Sequence, residues 1–224
     1  MFTGIVQGLA SVVAIQEKPG LRSLRLSFAP GFCAGLEIGA SVSCDGVCLT
    51  VTAMPSNDEA EFDVMQQTLS LTTLGALQIG SRINVERAAR DGAEIGGHPL
   101  SGHIDFTATI ASIRRPENNH VLRIAVPPRW MRYIFAKGYI AIDGASLTIA
   151  EADREAGWFE VWLIPETLRV TTFGAKTEGA QLNIEIERQT QVLVDTARDA
   201  VREQLGPLMP LLEQLAAERG IRLS

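Results

Sequence analysis

The sequence predicts an all-β protein of two tandem six-stranded antiparallel β-barrels, related by internal duplication, with a C-terminal α-helix. Three observations carry this expectation. The first is a hairpin written twice, as Val42-Ser-Cys-Asp-Gly-Val-Cys-Leu-Thr-Val51 and as Ile140-Ala-Ile-Asp-Gly-Ala-Ser-Leu-Thr-Ile149. Asp-Gly between alternating apolar residues is the strongest short-range signal for a two-residue type I′ turn. The second is the wider repeat, in which Cys48 returns as Ser146 at an offset of 98 and Phe2-Thr-Gly-Ile-Val6 as Leu100-Ser-Gly-His-Ile104. At an offset of 99, Thr72-Thr73-Leu74-Gly75 returns as Thr171-Thr172-Phe173-Gly174 and Asn84-Val85-Glu86 as Asn183-Ile184-Glu185. Two copies of this length mean tandem domains rather than a solenoid. The third is a change of texture after Thr190, where apolar residues recur at helical steps.

In chain order, the first copy has alternating or β-rich runs at 3–15, 21–28, 41–53, 60–66 and 81–87, the third folding on its turn into two strands. The second copy repeats them at 102–113, 120–126, 139–151, 157–164 and 180–187. Gly, Pro, Asn or Asp lies between most of them. Short strands so spaced suit a small closed barrel. Short helical segments are expected at 30–36, 67–74, 128–136 and 166–173. The glycine-rich stretch 91–97 marks a boundary between domains 1–97 and 98–189. A helical segment, 190–224, follows. Its seam is Val194, Ala197, Val201, Leu205, Leu208, Leu212 and Leu215, and Gly206-Pro207 should break or kink it.

The hairpins also suggest a site. A type I′ turn opposes Ser43 to Cys48 and Ser41 to Thr50, so these four share one strand face while Val42, Val47, Leu49 and Val51 fill the other. In the second copy Tyr139, Ala141, Ser146 and Thr148 share the matching face. One such row reads as ordinary solvent-side Ser and Thr; two in register read as two copies of one site.

Composition narrows the partners. With 224 residues, 46% hydrophobic and 21% charged, the chain can bury a sizeable core. A net charge of −6 weighs against nucleic acid or an anionic membrane as partner. No basic-then-apolar leader and no apolar run of about 18 residues is present, so neither a signal peptide nor a spanning helix is expected. Three cysteines, at 33, 44 and 48, suit a reducing cytoplasm rather than a disulfide framework. His98 and His103 sit five apart around a Pro and a Gly, poor spacing for metal ligands.

The motifs together resemble a known family. Met-Phe-Thr-Gly-Ile-Val at the start, Cys48-Leu-Thr50, Glu94-Ile-Gly-Gly-His98, Ser101-Gly-His-Ile104, Lys137-Gly138, Ile142-Asp-Gly-Ala-Ser-Leu-Thr148 and Ile164-Pro-Glu-Thr-Leu168 closely resemble the riboflavin synthase α-chain family of tandem lumazine-binding barrels. The resemblance covers residues 1–195. It implies Greek-key, flavin-reductase-like barrels and a dismutation of two 6,7-dimethyl-8-ribityllumazine molecules, one giving a four-carbon unit to the other. The products are riboflavin and a ribitylamino-uracil. Neither cofactor nor metal is implied. A homotrimer is implied, with lumazine synthase as a further expected associate. The first turn departs by carrying Asp45-Gly46 where the family more often has Asn-Gly, and the segment from Leu205 onward is longer than the resemblance requires.

By the same resemblance, one substrate lies in the first barrel against Gly4, Ile5, Val6, Cys48, Leu49, Thr50 and the strand end Asp63, Val64, Met65, Gln66, Gln67, Thr68. The other lies in the second barrel against Gly102, His103, Ile104, Lys137, Ser146, Leu147, Thr148 and Leu163, Ile164, Pro165, Glu166, Thr167. Catalytic roles are expected of Cys48, His103, Ser146, Phe2, Ser41 and Asp143. The ring methyl is acidic because its anion delocalises, and His103, Ser146 or a relayed water can take the proton. Cys48 either adds to the electrophilic ring carbon or guides a water there. Phe2 is suited to stacking on the ring, or to plugging the core. His103 and Lys137 stand where the first copy has Ile5 and Gly39, an asymmetry that suggests different tasks for the two sites. A non-catalytic lumazine or flavin carrier of the same fold is the alternative reading.

Overall fold

A computed structural model describes residues 1–117, 119–210, 214 and 218. The first barrel comprises β1 (Gly8–Lys18), β2 (Leu21–Ser27), β3 (Ser41–Cys44), β4 (Val47–Ser56), β5 (Glu59–Met65) and β6 (Arg82–Arg87), with helix α1 (Gln66–Leu71) after β5. The second comprises β7 (Phe106–Arg114), β8 (His120–Ala125), β9 (Tyr139–Ile142), β10 (Ala145–Asp153), β11 (Trp158–Leu163) and β12 (Gln181–Ile186), with α2 (Pro165–Val170) after β11. Both sheets are antiparallel and close in the same cyclic order, β1-β2-β5-β4-β3-β6 and β7-β8-β11-β10-β9-β12. Each skips from its second strand to its fifth, the Greek-key step.

The duplication extends to defects in the ladders. The register slips between Val12 and Ala14 in β1 and between Ile110 and Ser112 in β7. It slips again between Val51 and Ala53 and between Ile149 and Glu151. Such bulges bend a strand and raise its twist, which lets six short strands close on themselves. Inside, Val42, Leu49, Val51, Phe62 and Ile83 fill one core, and Ile140, Ile149, Phe159, Val161 and Ile184 the other. Each such side chain contributes about 1.5–3 kcal/mol by leaving water.

Both Asp-Gly turns take the expected form, with φ of 45° and 84° at Asp45 and Gly46 and 45° and 81° at Asp143 and Gly144. The turns abut. A Cβ on Gly46 would stand 2.7 Å from the Gly144 nitrogen, so only glycine fits. Around them runs a reciprocal tie: Asn84 Nδ2 donates to the Asp143 carbonyl at 3.0 Å and Asn183 Nδ2 to the Asp45 carbonyl at 2.8 Å. Asn84 Oδ1 accepts from the Thr172 amide and Asn183 Oδ1 from the Thr73 amide, both at 2.8 Å. Phe2 and Leu100, equivalent in the repeat, exchange backbone hydrogen bonds of 2.8 and 3.0 Å. All three contacts relate equivalent residues, as a pseudo-two-fold axis requires.

Some expectations change. The run at 3–15 begins its strand only at Gly8, and 102–113 only at Phe106, because the preceding residues cross to the other barrel. Segment 30–36 is a series of turns, since Gly31 and Gly35 hold φ of 86° and 65°, which no helix accepts. Segment 128–136 forms a 3₁₀ helix over Pro128–Tyr133. The C-terminal unit, by itself, is α3 (Arg188–Leu205) and a 3₁₀ turn at Gly206–Leu208, where the Gly-Pro pair ends the regular helix. Leu212 and Leu215 lie outside the described residues. No described helix is long and apolar enough to cross a membrane.

Candidate functional site

Two cavities stand in pseudo-symmetric positions. One, of about 200 Å³, is lined by Val47, Cys48, Thr68, Leu71, Thr72, Gly102, His103 and Ile104. The other, of about 280 Å³, is lined by Gly4, Ile5, Val6, Ala145, Ser146, Leu147, Glu166, Thr167, Val170 and Thr171. Larger hollows occur elsewhere, but all eight lining residues of the first have their repeat equivalents in the second, which adds Leu147 and Glu166.

Each cavity is built by both halves of the chain. The Cys48 amide donates to the Gly102 carbonyl and the Ser146 amide to the Gly4 carbonyl, each at 2.8 Å. This corrects the expected grouping. Gly4, Ile5 and Val6 belong with Ser146 of the second barrel, and Gly102, His103 and Ile104 with Cys48 of the first. The approach demands glycine: a Cβ on Gly4 would fall 2.5 Å from Ser146 Cβ, and one on Gly102 2.6 Å from Cys48 Cβ.

Two carboxylates hold the crossing segments. Glu86 on β6 accepts from the Thr3 amide, the Thr3 hydroxyl and the Gly4 amide at 2.6, 2.7 and 3.0 Å. Glu185 on β12 accepts from Ser101 and Gly102 in the same way, at 2.7, 2.7 and 3.0 Å. Burial pushes both carboxyls above their ordinary range, and these hydrogen bonds pull them back. Neither was expected as a site residue; their only signal was the repeated Asn-Val/Ile-Glu triplet.

The first cavity carries a half-buried thiol and, at its rim, the exposed His103. The second carries a hydroxyl with an imidazole behind it: His98 Nδ1 lies 2.6 Å from Ser146 Oγ. The His98 ring stacks on Tyr139 with centroids 5.3 Å apart, and its amide donates to the Thr3 carbonyl at 3.1 Å. Burial holds this imidazole below the ordinary histidine range, against a smaller pull from the Glu187 carboxylate. The ring is therefore neutral at pH 7. At the rim, Glu166 is paired with Arg169 at 2.6 Å, and that guanidinium keeps its carboxyl below the usual range. The matching positions in the first copy are Gln67 and Ser70.

The remaining expected residues are spread more widely. Thr50 and Thr148 are exposed on the strand faces next to the cavities, while Leu49, Val64 and Leu163 point into the barrel cores. Met65 and Ile164 are exposed, as are Gln66, Gln67 and Pro165 at the helix starts. Asp63 is engaged instead by Ser23 and by Lys18 at 3.5 Å. Lys137 is exposed with φ of 68°, the left-handed position that Gly39 takes with φ of 90° in the first copy. Its amide donates to Ile149.

Three residues expected to be catalytic lie outside both cavity linings. Phe2 is 0% exposed among Leu100, Ala141, Cys48 and Ala88, where its ring fills the seam between barrels beside the Cys48 cavity. Asp143 is also 0% exposed; it lies in the turn-to-turn tie, 2.9 Å from Lys176 Nζ, and lines neither cavity. Ser41 is half-buried at the end of β3, paired with Thr50, and lines neither cavity. Among the described residues no group of three or more His, Cys, Asp or Glu is disposed to hold a metal ion.

Comparison with known proteins agrees with the duplicated two-barrel fold. The model of the lumazine binding domain family matches the chain twice, over residues 3–88 and 101–187. Riboflavin synthase of Escherichia coli (strain K12) is 50% identical over 197 residues, 88% of this chain and 91% of that one. Riboflavin synthase of Chlamydia pneumoniae is 43% identical over 198 residues, 88% and 96% of the two chains. Among solved structures, LumP bound to 6,7-dimethyl-8-(1'-D-ribityl) lumazine superposes with a TM-score of 0.75 at 25% identity, over 84% of this chain and all of that one. LumP bound to riboflavin gives 0.76 at 26% identity with the same coverage. With both repeats matched and its curated relatives alike in name over nearly their whole length, this chain belongs to the lumazine-binding family, among the riboflavin synthases.

Proposed function

We infer that the protein converts two molecules of 6,7-dimethyl-8-ribityllumazine into riboflavin and 5-amino-6-(D-ribitylamino)uracil, the last step of riboflavin biosynthesis. One observation carries the reading: two pseudo-equivalent cavities, both with a nucleophile-bearing strand, a glycine carbonyl and a threonine-bearing helix start. A reaction between two copies of one molecule needs two such sites, whereas a carrier needs one. Holding the copies in a near-attack pose removes several kcal/mol of entropic barrier. Cys48, Ser146 and His103 are the groups we assign to the chemistry, with the segments 4–6, 48–50, 63–68, 102–104, 146–148 and 163–167 and Lys137 as the binding surface.

The cavities also bear on assembly. Pockets that enclose a drug-sized ligand run from about 300 Å³ upward. At about 200 and 280 Å³ each half-site is too shallow to cover its ligand alone. We propose that it is closed by a second copy of the chain, in a homotrimer with α3 as the contact. In α3, Val192, Leu193, Val201 and Leu205 are 58, 72, 57 and 47% exposed. We keep the division into domains 1–97, 98–189 and 190–224. Three free thiols support a cytoplasmic setting, and lumazine synthase is the associate we expect. The test is direct. Pure protein given the lumazine alone should develop flavin absorbance; ligand binding without flavin over hours would favour the carrier.

A further inference from the structure

The two barrels differ at a pair of positions that line neither lumazine cavity. In the first barrel Glu17 and Arg22 face each other across the β1–β2 ladder and are paired at 2.7 Å. Arg22 Nη1 also donates to the Gly75 carbonyl at 2.9 Å. At an offset of 98 the second barrel carries Arg115 and His120 instead. The last pair of its β7–β8 ladder is Arg114 with Val121, so the next step sets Arg115 opposite His120. A cation now stands where the first copy has the acid that neutralises its neighbour. Like charges so opposed are destabilising. Among the described residues Arg115 has no acidic partner, whereas the adjacent Arg114 is paired with Glu160 at 2.6 Å. His120 is 5% exposed, and its Nε2 is buried with no hydrogen-bond partner among the described residues. Burial, and after it the Arg115 charge, holds this imidazole below the ordinary histidine range. An unpaired buried donor costs stability, and in a native structure it calls for a partner.

A cavity of about 400 Å³ opens at Arg115, lined by Ile113, Arg115, Lys176, Thr177 and Glu178. Lys176 keeps its Nζ 2.9 Å from Asp143, so it lends the cavity positive field rather than a free donor. Glu178 is the one acid in the lining, and its Oε1 accepts from the Ile113 amide at 2.8 Å. The donors left are the Arg115 guanidinium and the hydroxyl of the exposed Thr177, with His120 on the strand opposite. We propose that this cavity binds a phosphate-type dianion, either inorganic phosphate or the phosphate of a small monoester, on the forked guanidinium of Arg115, with Thr177 and His120 as further donors. Arginine offers paired N–H groups to two phosphate oxygens, and the dianion supplies the counter-charge that Glu17 supplies in the first barrel. A cavity of this size admits the organic part of an ester as well as the bare ion. The inference goes beyond the synthase reading and does not rest on it.

The chain has only three histidines, so their imidazole C–H signals can be followed one by one by NMR, that of His120 assigned with His120→Gln. Inorganic phosphate is titrated into the full chain at constant pH and ionic strength, with chloride as the balancing salt. The expected result is a saturable shift of the His120 signal while those of His98 and His103 stay in place. In Arg115→Ala the affinity should fall at least about tenfold, the loss that removing a charged hydrogen-bond donor entails. Glycerol 3-phosphate, titrated alongside, identifies the source: tighter binding of the ester marks a monoester site, equal binding a site for the ion itself. Arg115→Glu combined with His120→Arg restores the pair of the first barrel, and this double variant should melt above the parent in chloride with no further rise in phosphate. Both variants should form flavin at the parent's rate, since neither position lines a lumazine cavity. An unchanged titration in Arg115→Ala, or no saturable shift at His120, would overturn the proposal. So would equal shifts at all three histidines, the mark of an adventitious ion only.

Discussion

At the scale of single residues, the least expected chemistry is at the turn-to-turn contact. Asp45 and Asp143 are 5% and 0% exposed and share one cation, Lys176, which lies 2.9 Å from Asp143. Burial raises both carboxyls, and Asp45 the more, because Asp143 adds its repulsion, against a smaller pull from Lys176 and the Asn84 amide. Lys176 stays charged, since the two carboxylates more than offset its own burial. The folded state therefore holds a proton on Asp45 at pH values where the unfolded chain has released it. Its contribution to stability is complete below the ordinary aspartate range and is lost as pH rises through the raised folded value. Asp45→Asn keeps an oxygen for the Asn84 amide, now at 2.8 Å, and carries no proton to lose. The variant should melt above the parent at pH 8, by about 2–4 °C for each kcal/mol gained in a chain of this size. The difference should close near pH 4. Equal melting temperatures at pH 8 would mean that the Asp45 charge is matched.

At the scale of elements, the β6–segment contact ties one barrel's strand to the other barrel's cavity. Glu86 belongs to the first barrel but holds Gly4, which lines the second cavity; Glu185 does the reverse. A Gln at position 86 offers one acceptor oxygen where three donors converge, and its amide group faces N–H groups. Glu86→Gln should therefore weaken riboflavin binding about tenfold, some 1.4 kcal/mol, at the Ser146 cavity while leaving the Cys48 cavity intact. Glu185→Gln should show the mirror result. Loss at the cavity of the mutated barrel would contradict the crossed arrangement. The crossing also marks where sequence reading stops. The hairpin faces were legible because a two-residue turn fixes register, and register fixes which side chains share a face. Residues 3–7 alternate as a strand does, but alternation is the same whichever barrel receives the segment. Glu86 and His98 were hidden for a related reason. Each acts through residues far away in sequence, and no local pattern announces a contact made 83 or 48 positions off.

At the scale of the whole molecule, the question is where two bound lumazines meet. Both cavities are shallow, and each is walled by the two halves of the same chain, so the duplication alone closes neither. If copies of the chain supply the missing walls, something must hold them together, and α3 is the segment with apolar surface to spare. Its 18 residues expose Val201 and Leu205 at 57 and 47%, and an isolated helix only slightly above 12–15 residues is marginal in water. Association of its apolar stripe with its own copies would stabilise both helix and assembly. Truncation after Thr190 leaves both barrels whole, since their strands end at Ile186. The truncated chain should fold and bind lumazine at both half-sites, sediment as a monomer, and form flavin at least roughly 100-fold more slowly, a loss within what proximity supplies. Sedimentation velocity and flavin absorbance measured on the same sample decide it. A monomer of full activity would mean that the substrates meet within one chain, and that α3 serves another purpose.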